Sequence, residues 1–210
     1  NDSLFWRALG NTLVLSGGMI VLGVAVPFVI AIALHEVSFE RLRKVTQAVI
    51  YTPNLFSWVV VGGIWIHLLS PDRGLVNELM RLVGIKSVHF LADINWIKPV
   101  LIFLSTWKGL GYNAVIYYAA LSSLDPVLYE AATVDGATRW QKIQKITVPL
   151  LLPTVKVVFL LSAVGALRIF DQIFILRNAA TSRYIDVLMT YVYDLGMRQF
   201  QLGHSTAASF

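Results

Sequence analysis

The chain is 210 residues long, 57% hydrophobic and 14% charged, with a formal net charge of +5 and no cysteine. Ordinary soluble domains carry about 25% charged and roughly 45–50% apolar residues, so the composition excludes an average soluble domain and points to a membrane protein. The basic residues are scattered, without a basic stripe or an RNA-type motif, which argues against nucleic acid as a partner. The absence of cysteine rules out disulfides and cysteine-based metal sites.

Taken in order, Asn1 to Gly10 is a short amphipathic lead-in with Phe5 and Trp6 suited to an interface. Residues 11–34 carry no charge and are long enough to cross about 30 Å of hydrocarbon as a helix. Pro27 marks a candidate kink, its freed backbone groups satisfied by neighbours, and Gly17, Gly18 and Gly23 permit close approach of another helix. His35 to Lys44 is a short charged connection; His35-Glu36 lacks the second histidine of a zinc-protease helix. Residues 45–69 form the second expected span, again without Lys, Arg, Asp or Glu. Pro53-Asn54 and Gly62-Gly63 predict irregular or closely packed helix there. Ser70 to Trp96 is polar, with a small surface helix expected over Leu75–Val83 after the Pro71-Asp72 turn signal.

Residues 99–122 form the third expected span, with a single charge, Lys108, inside Trp107-Lys108-Gly109-Leu110-Gly111-Tyr112-Asn113. A charge at the bilayer centre costs about 2.5–3.5 kcal/mol on insertion scales. Lys108 therefore either snorkels to an interface or faces a solute pathway with Trp107 and Asn113. Residues 150–170 form the fourth span, and 203–210 begin a fifth. Ala119/Ser123 and Ser162/Ala166 are small-residue pairs of the helix-packing kind. Between the last two spans, Ile173 to Arg183 reads as a loop and Ile185 to Phe200 as an amphipathic surface helix; Arg168 and Asp171 read as a local ion pair. The chain has no signal peptide at its start and reads as an excerpt of a longer protein.

The polar island 123–147 stands between two long apolar runs. Asp125 and Pro126 open a helix, the first as a cap and the second at the position where a missing N–H costs nothing. Leu128, Ala131 and Ala132 then share one face. Gly136 takes a left-handed turn, and a second segment runs from Ala137 to Ile146, stopping near Pro149. Helix, turn and helix make a compact hairpin, a docking surface for a soluble partner.

The order Glu130-Ala131-Ala132, three residues, Gly136, nine residues, Ile146, one residue, Val148-Pro149 resembles the EAA loop of ABC importer permeases. Val148 stands where that family usually has Leu. Asp125-Pro126, Asp135-Gly136-Ala137, Trp140 and Phe170-Asp171-Gln172-Ile173-Phe174 are similar to the carbohydrate-importing branch. The resemblance covers nearly the whole chain. It implies an all-α polytopic helical bundle of the type I importer permease kind, with about five core spans, in the bacterial cytoplasmic membrane. It implies that Glu130, Ala131, Ala132, Asp135, Gly136, Ala137 and Trp140 couple the chain to a dimer of ATP-binding cassette ATPases. It further implies a second, homologous permease subunit and an extracytoplasmic solute-binding protein. No phosphate-binding G-x-x-x-x-G-K-[ST] loop is present, so the chain is not expected to bind ATP itself; the resemblance implies that partner subunits hold ATP and Mg and that this chain is not an enzyme.

For the solute, the same branch suggests a sugar or oligosaccharide, and aromatic faces and amide or hydroxyl groups hold sugars. Trp58, Trp107, Tyr112, Asn113 and Ser162 are pathway candidates on that ground; Lys108 and Arg168 add the cations an anionic saccharide requires. A non-sugar solute is the alternative. An ion-coupled secondary transporter fits less well, since the four apolar spans contain no Asp or Glu for a proton relay. Orientation follows from the resemblance rather than from charge. Six basic residues fall on the hairpin's side and nine on the other, although 35–44 holds the densest cluster.

Overall fold

The computed structural model describes residues 3–37 and 39–209, and among these every regular element is helical. The principal helices are α1 (Ser3–His35), α2 (Glu40–Leu55), α3 (Trp58–Leu68), α4 (Leu75–Leu82), α5 (Ile97–Ser122), α6 (Pro126–Val134), α7 (Arg139–Lys142) and α8 (Val148–Leu167). Shorter segments follow: α9 (Asp171–Leu176), α10 (Ser182–Ile185), α11 (Leu188–Tyr193) and α12 (Leu202–Ser209). A π-helical turn (Ile143–Thr147) joins α7 to α8, and a second (Asp194–Arg198) follows α11.

Two helical stretches, Ser3–His35 and Arg139–Leu167, are long and apolar enough to cross a membrane, and α2 with α3 makes a third if that broken pair is one span. α1 runs unbroken through Pro27. The expected second span, by contrast, is interrupted at Phe56–Ser57. Pro53 is buried inside α2 rather than at the break, and the Ser57 hydroxyl restarts the helix by accepting the Val60 N–H at 3.4 Å. α5 is long enough at 26 residues, but Lys98, Lys108, Asn113 and its tyrosines dilute its apolar character.

The chain divides into two compact units. One comprises residues 21–55 and 106–162. Its core joins Ala31 of α1, Tyr117 and Leu121 of α5, and Leu151 and Val158 of α8. Phe28 meets Tyr117 edge to face at 5.4 Å. The Asn113 amide donates to Gly23 O at 2.8 Å and to Ser162 Oγ at 3.3 Å, so a single side chain of α5 holds α1 and α8. α2 lies against Gly111 so closely that a Cβ there would sit 2.7 Å from the Tyr51 Cα and 2.8 Å from Ile50 O. Such approach is what small residues contribute where lipid supplies no hydrophobic drive between helices.

The other unit comprises residues 1–20, 56–105 and 163–210. Leu15 and Met19 of α1, Ile97, Leu101 and Leu104 of α5, and Ala166 at the end of α8 pack there with Ile169, Ile173, Leu176, Ile185 and Val187. Several of these lie in the stretches expected as a loop (173–183) and a surface helix (185–200). The loop expectation is corrected at its two ends, where α9 and α10 form and pack, with Ile173 and Ile185 fully buried. The expected amphipathic helix is present over 188–198 as α11 and the second π-turn, with Thr190 and Leu195 buried and Met189, Met197 and Arg198 exposed. Gly62 of α3 is pressed on Ile175 of α9. The small surface helix α4 is present where expected, and its fully buried Asn77 anchors it. The Asn77 amide donates to Ser70 O at 3.1 Å and Val88 O at 3.0 Å while its Oδ1 accepts the Val88 N–H at 2.8 Å.

An ion cluster closes this unit. Arg177, at the end of α9, meets both oxygens of Asp194 at 2.8 and 3.1 Å and approaches Asp186 at 3.5 Å. The Phe174 ring lies 4.7 Å beneath the guanidinium. The expected Arg168–Asp171 pair is not among the ion pairs of the described residues; Arg168 is exposed. Burial pushes the Asp186 carboxyl above the usual carboxylate range, with Arg177 opposing it. The hydrogen bond to Asp194 raises Arg177 further. Arg177→Met would leave two carboxylates facing each other without their cation, and a loss of roughly 1.5–3 kcal/mol is expected. Asp186→Asn should cost less, because the fold already disfavours the Asp186 charge. Thermal unfolding of the purified assembly checks this ordering, and a larger loss from Asp186→Asn would overturn it.

Candidate functional site

The polar island folds as a hairpin whose form is set by local chemistry. The Asp125 carboxylate accepts the Val127 N–H at 2.9 Å, and Pro126 occupies the first turn of α6. At the other end Ala137 N–H reaches Ala132 O at 2.9 Å and Gly136 N–H reaches Thr133 O at 3.0 Å. This double closure requires a left-handed residue after the cap, and Gly136 supplies it at φ +74°. Thr138 then caps α7 reciprocally with Gln141: Gln141 N–H to the Thr138 hydroxyl, and Thr138 N–H to Gln141 Oε1 at 2.7 Å. The opening and the turn are as the sequence predicts.

The second arm differs. The helix does not stop near Pro149 but passes through the π-turn into α8. A proline has no N–H to donate and its ring crowds the carbonyl four residues back. The chain widens just ahead of it, the Val148 N–H bonding to Ile143 O, and so continues as helix.

Almost nothing in this chain covers the hairpin. α6 has no buried residue. Glu130, Ala131, Asp135 and Gly136 are exposed, and Ala132 and Ala137 are half-buried. Val127 is 61% exposed, Val134 88% and Trp140 65%. Apolar side chains presented this openly beside Glu130 and Asp135 make a surface with the composition of a protein-docking site. Two cross-links join the arms: Tyr129 OH and Thr147 Oγ1 at 2.9 Å, and Lys142 Nζ donating to Thr133 Oγ1 at 2.6 Å. The sequence assigns none of these four residues a role in the site. The Thr138-x-x-Gln141 capping box was legible as a local signature, but a pairing across 18 positions has no local signal.

The pathway candidates are only partly assembled. Asn113 and Ser162 are bonded directly. Trp107 and Lys108 are half-buried on the same helix, and Tyr112 is exposed there. The Lys108 ammonium lies 3.5 Å from Asn54 O, next to the end of α2. Trp58 packs on the hydrophobic core of the other unit, to which Arg168 also belongs. In that unit Arg7, Asp186, Tyr191, Asp194 and Gln201 help line a cleft of about 290 Å³ that contains none of the candidates.

A family model described as "binding-protein-dependent transport system inner membrane component" matches residues 23–208, and the chain belongs to that family. It is 36% identical over 207 residues to the polygalacturonan/rhamnogalacturonan transport system permease protein YteP of Bacillus subtilis (strain 168), covering 98% of this chain and 64% of YteP. The chain thus spans a little under two thirds of that relative. A crystal structure of a bacterial ABC transporter involved in the import of the acidic polysaccharide alginate matches with a TM-score of 0.95 at 37% identity. The match covers 100% of this chain and 73% of the other. A crystal structure of bacterial alginate ABC transporter in complex with alginate pentasaccharide-bound periplasmic protein matches equally, at TM-score 0.95 and 37% identity, with the same coverage of both chains. The fold is the polytopic helical bundle of ABC importer permeases, and the family is one of inner-membrane components.

Gly136 has open space around its Cα, so a side chain there meets no clash but must adopt the left-handed conformation. Gly136→Val is expected to cost roughly 1–2 kcal/mol, concentrated in the hairpin. Faster proteolytic nicking within 126–142, with unchanged detergent extraction and assembly, is the outcome to measure. Nicking at the parental rate would show that the turn tolerates a β-branched residue.

Proposed function

We propose that this chain, as a binding-protein-dependent inner-membrane component, is a transmembrane subunit of an ATP-driven importer for an oligosaccharide, an acidic one in particular. The observation that carries this reading is the uncovered hairpin 123–147, in which the Glu130-Ala131-Ala132…Gly136 pattern presents exposed acidic and apolar side chains. Soluble ATPase subunits are the partners such a surface suits. Glu130 meets a basic residue of the ATPase, small Ala131 and Ala132 allow α6 into a groove, and Val134 and Trp140 supply apolar contact. A solute-binding protein delivers the solute on the opposite side, and a second permease subunit completes the pathway. ATP and Mg are bound by the ATPase pair, whose closure moves the hairpin. The hairpin then biases a two-state rearrangement of the spans.

The solute class is supported from two directions. One relative is named for polygalacturonan and rhamnogalacturonan, and a structural neighbour is described as importing an acidic polysaccharide. Within this chain, Lys108 offers a cation on the same helix as Trp107, Tyr112 and Asn113, and Arg168 offers another. Aromatic faces and amide groups suit the sugar rings, and the cations suit carboxylates.

The assembled importer in proteoliposomes tests both parts. Glu130→Lys should leave the chain in the membrane while abolishing most solute-stimulated ATP hydrolysis; normal uptake by this variant would remove the hairpin from the mechanism. Acidic oligosaccharides presented with the binding protein should stimulate hydrolysis more than neutral ones. Lys108→Ala should narrow that preference by about ten-fold, the weight of one charge-assisted contact near 1.4 kcal/mol. An unchanged preference would exclude Lys108 from solute contact.

A further inference from the structure

The hairpin reaches its span through the widest and least regular turn of the helix. A π-turn bonds i to i+5 and holds one residue more than an α-turn. A push on α6 delivered along the backbone alone has to pass through this irregular turn, Ile143–Thr147. The side chains offer a second route. Tyr129 and Thr133 lie one turn apart on α6, and the Thr133 hydroxyl also donates to Tyr129 O at 2.6 Å. Their partners, Lys142 and Thr147, stand immediately before and at the end of the π-turn. The two links thus bracket the irregular turn and tie both its ends to the same face of α6.

The links are unequal. Lys142–Thr133 is exposed, where water competes. Tyr129–Thr147 is part-buried, and Thr147 is only 4% exposed, in a hairpin whose other side chains are largely open to solvent. We propose that the Tyr129–Thr147 hydrogen bond is the strut by which α6 and α8 move as one lever, locking the π-turn so that motion at the docking surface enters the span. Tyr129 and Thr147 are positioning residues: they touch neither ATP nor solute. The inference rests on the hairpin being the ATPase-docking element.

The experiment uses the complete importer in proteoliposomes and reads two quantities, solute taken up per ATP hydrolysed and the amount of ATPase subunit co-purified. Tyr129→Phe and Thr147→Val each remove one hydroxyl while keeping most of the volume. Each should lower uptake per ATP by at least about three-fold with co-purification unchanged, and the double variant should be no worse than either single one, as expected for two ends of one bond. Thr147→Ser, which keeps the hydroxyl, should behave as the parent. This comparison separates the bond from any packing or folding defect shared by substitutions at 147. Lys142→Met should have a smaller effect than Tyr129→Phe. Parental uptake per ATP in Tyr129→Phe, additive losses in the double variant, or equal losses in Thr147→Ser and Thr147→Val would each overturn the strut. If Glu130→Lys transports normally, the docking reading itself fails; if Glu130→Lys uncouples and Tyr129→Phe does not, only the strut fails.

Discussion

A helix in hydrocarbon must satisfy its polar groups from within the protein, and the rest of this structure follows from how that demand is met. Each long helix closes most of its own backbone bonds, and the Asn113 amide serves Gly23 O, four residues before Pro27. Several side-chain polar groups are placed where they join elements. Asn113 serves α1 and α8 together, Ser16 donates to Ala166 O at 2.6 Å, and Asn11 accepts from Lys98 at 3.0 Å while donating to Asp186 O at 3.0 Å. Interhelical hydrogen bonds in membrane proteins average only about 0.6 kcal/mol. Their value here lies more in fixing which helix faces meet than in the total stability. Contact at Gly111 and the apolar clusters of each unit supply the close packing.

The hairpin obeys the opposite logic. Its polar groups are largely exposed, and its stability comes from local devices: an aspartate cap, a left-handed glycine and a reciprocal threonine–glutamine cap. Because these are self-contained, the hairpin keeps its shape without burying any side chain of α6. That independence leaves its outer surface available to another protein. It also makes the two cross-links between its arms the main side-chain connection from that surface back to the span.

How much of this was legible in the sequence depends on how local the cause is. Asp125-Pro126 and Gly136 act within four residues, and the elements they specify formed as written. The same holds for α4, bounded by a turn signal and a short apolar period. The helical ends of 173–183 escaped notice because apolar spacing cannot distinguish a lipid-facing or interfacial residue from one packed on protein when both surroundings are apolar. Ile173, Ile185 and Val187 are core residues, and the cluster of Arg177 with Asp186 and Asp194 joins positions 9 and 17 apart in the chain. Of the pathway candidates, residue chemistry alone picked out Asn113 and Ser162, which do meet. It also picked Trp58, whose indole is engaged in packing.

The break in the expected second span and the lysine of α5 lie side by side. A helix end leaves carbonyls without intrahelical donors and carries partial negative charge. Interrupting the chain at Phe56–Ser57 creates such an end on α2. Lys108 brings its ammonium to 3.5 Å from Asn54 O, the carbonyl of the next-to-last residue of that helix. The ammonium therefore meets the partial negative charge of a helix end, and that end gains a donor. A sequence pattern of continuous apolar residues conceals the break. Lys108, whose ammonium lies beside the Asn54 carbonyl, marks where it falls.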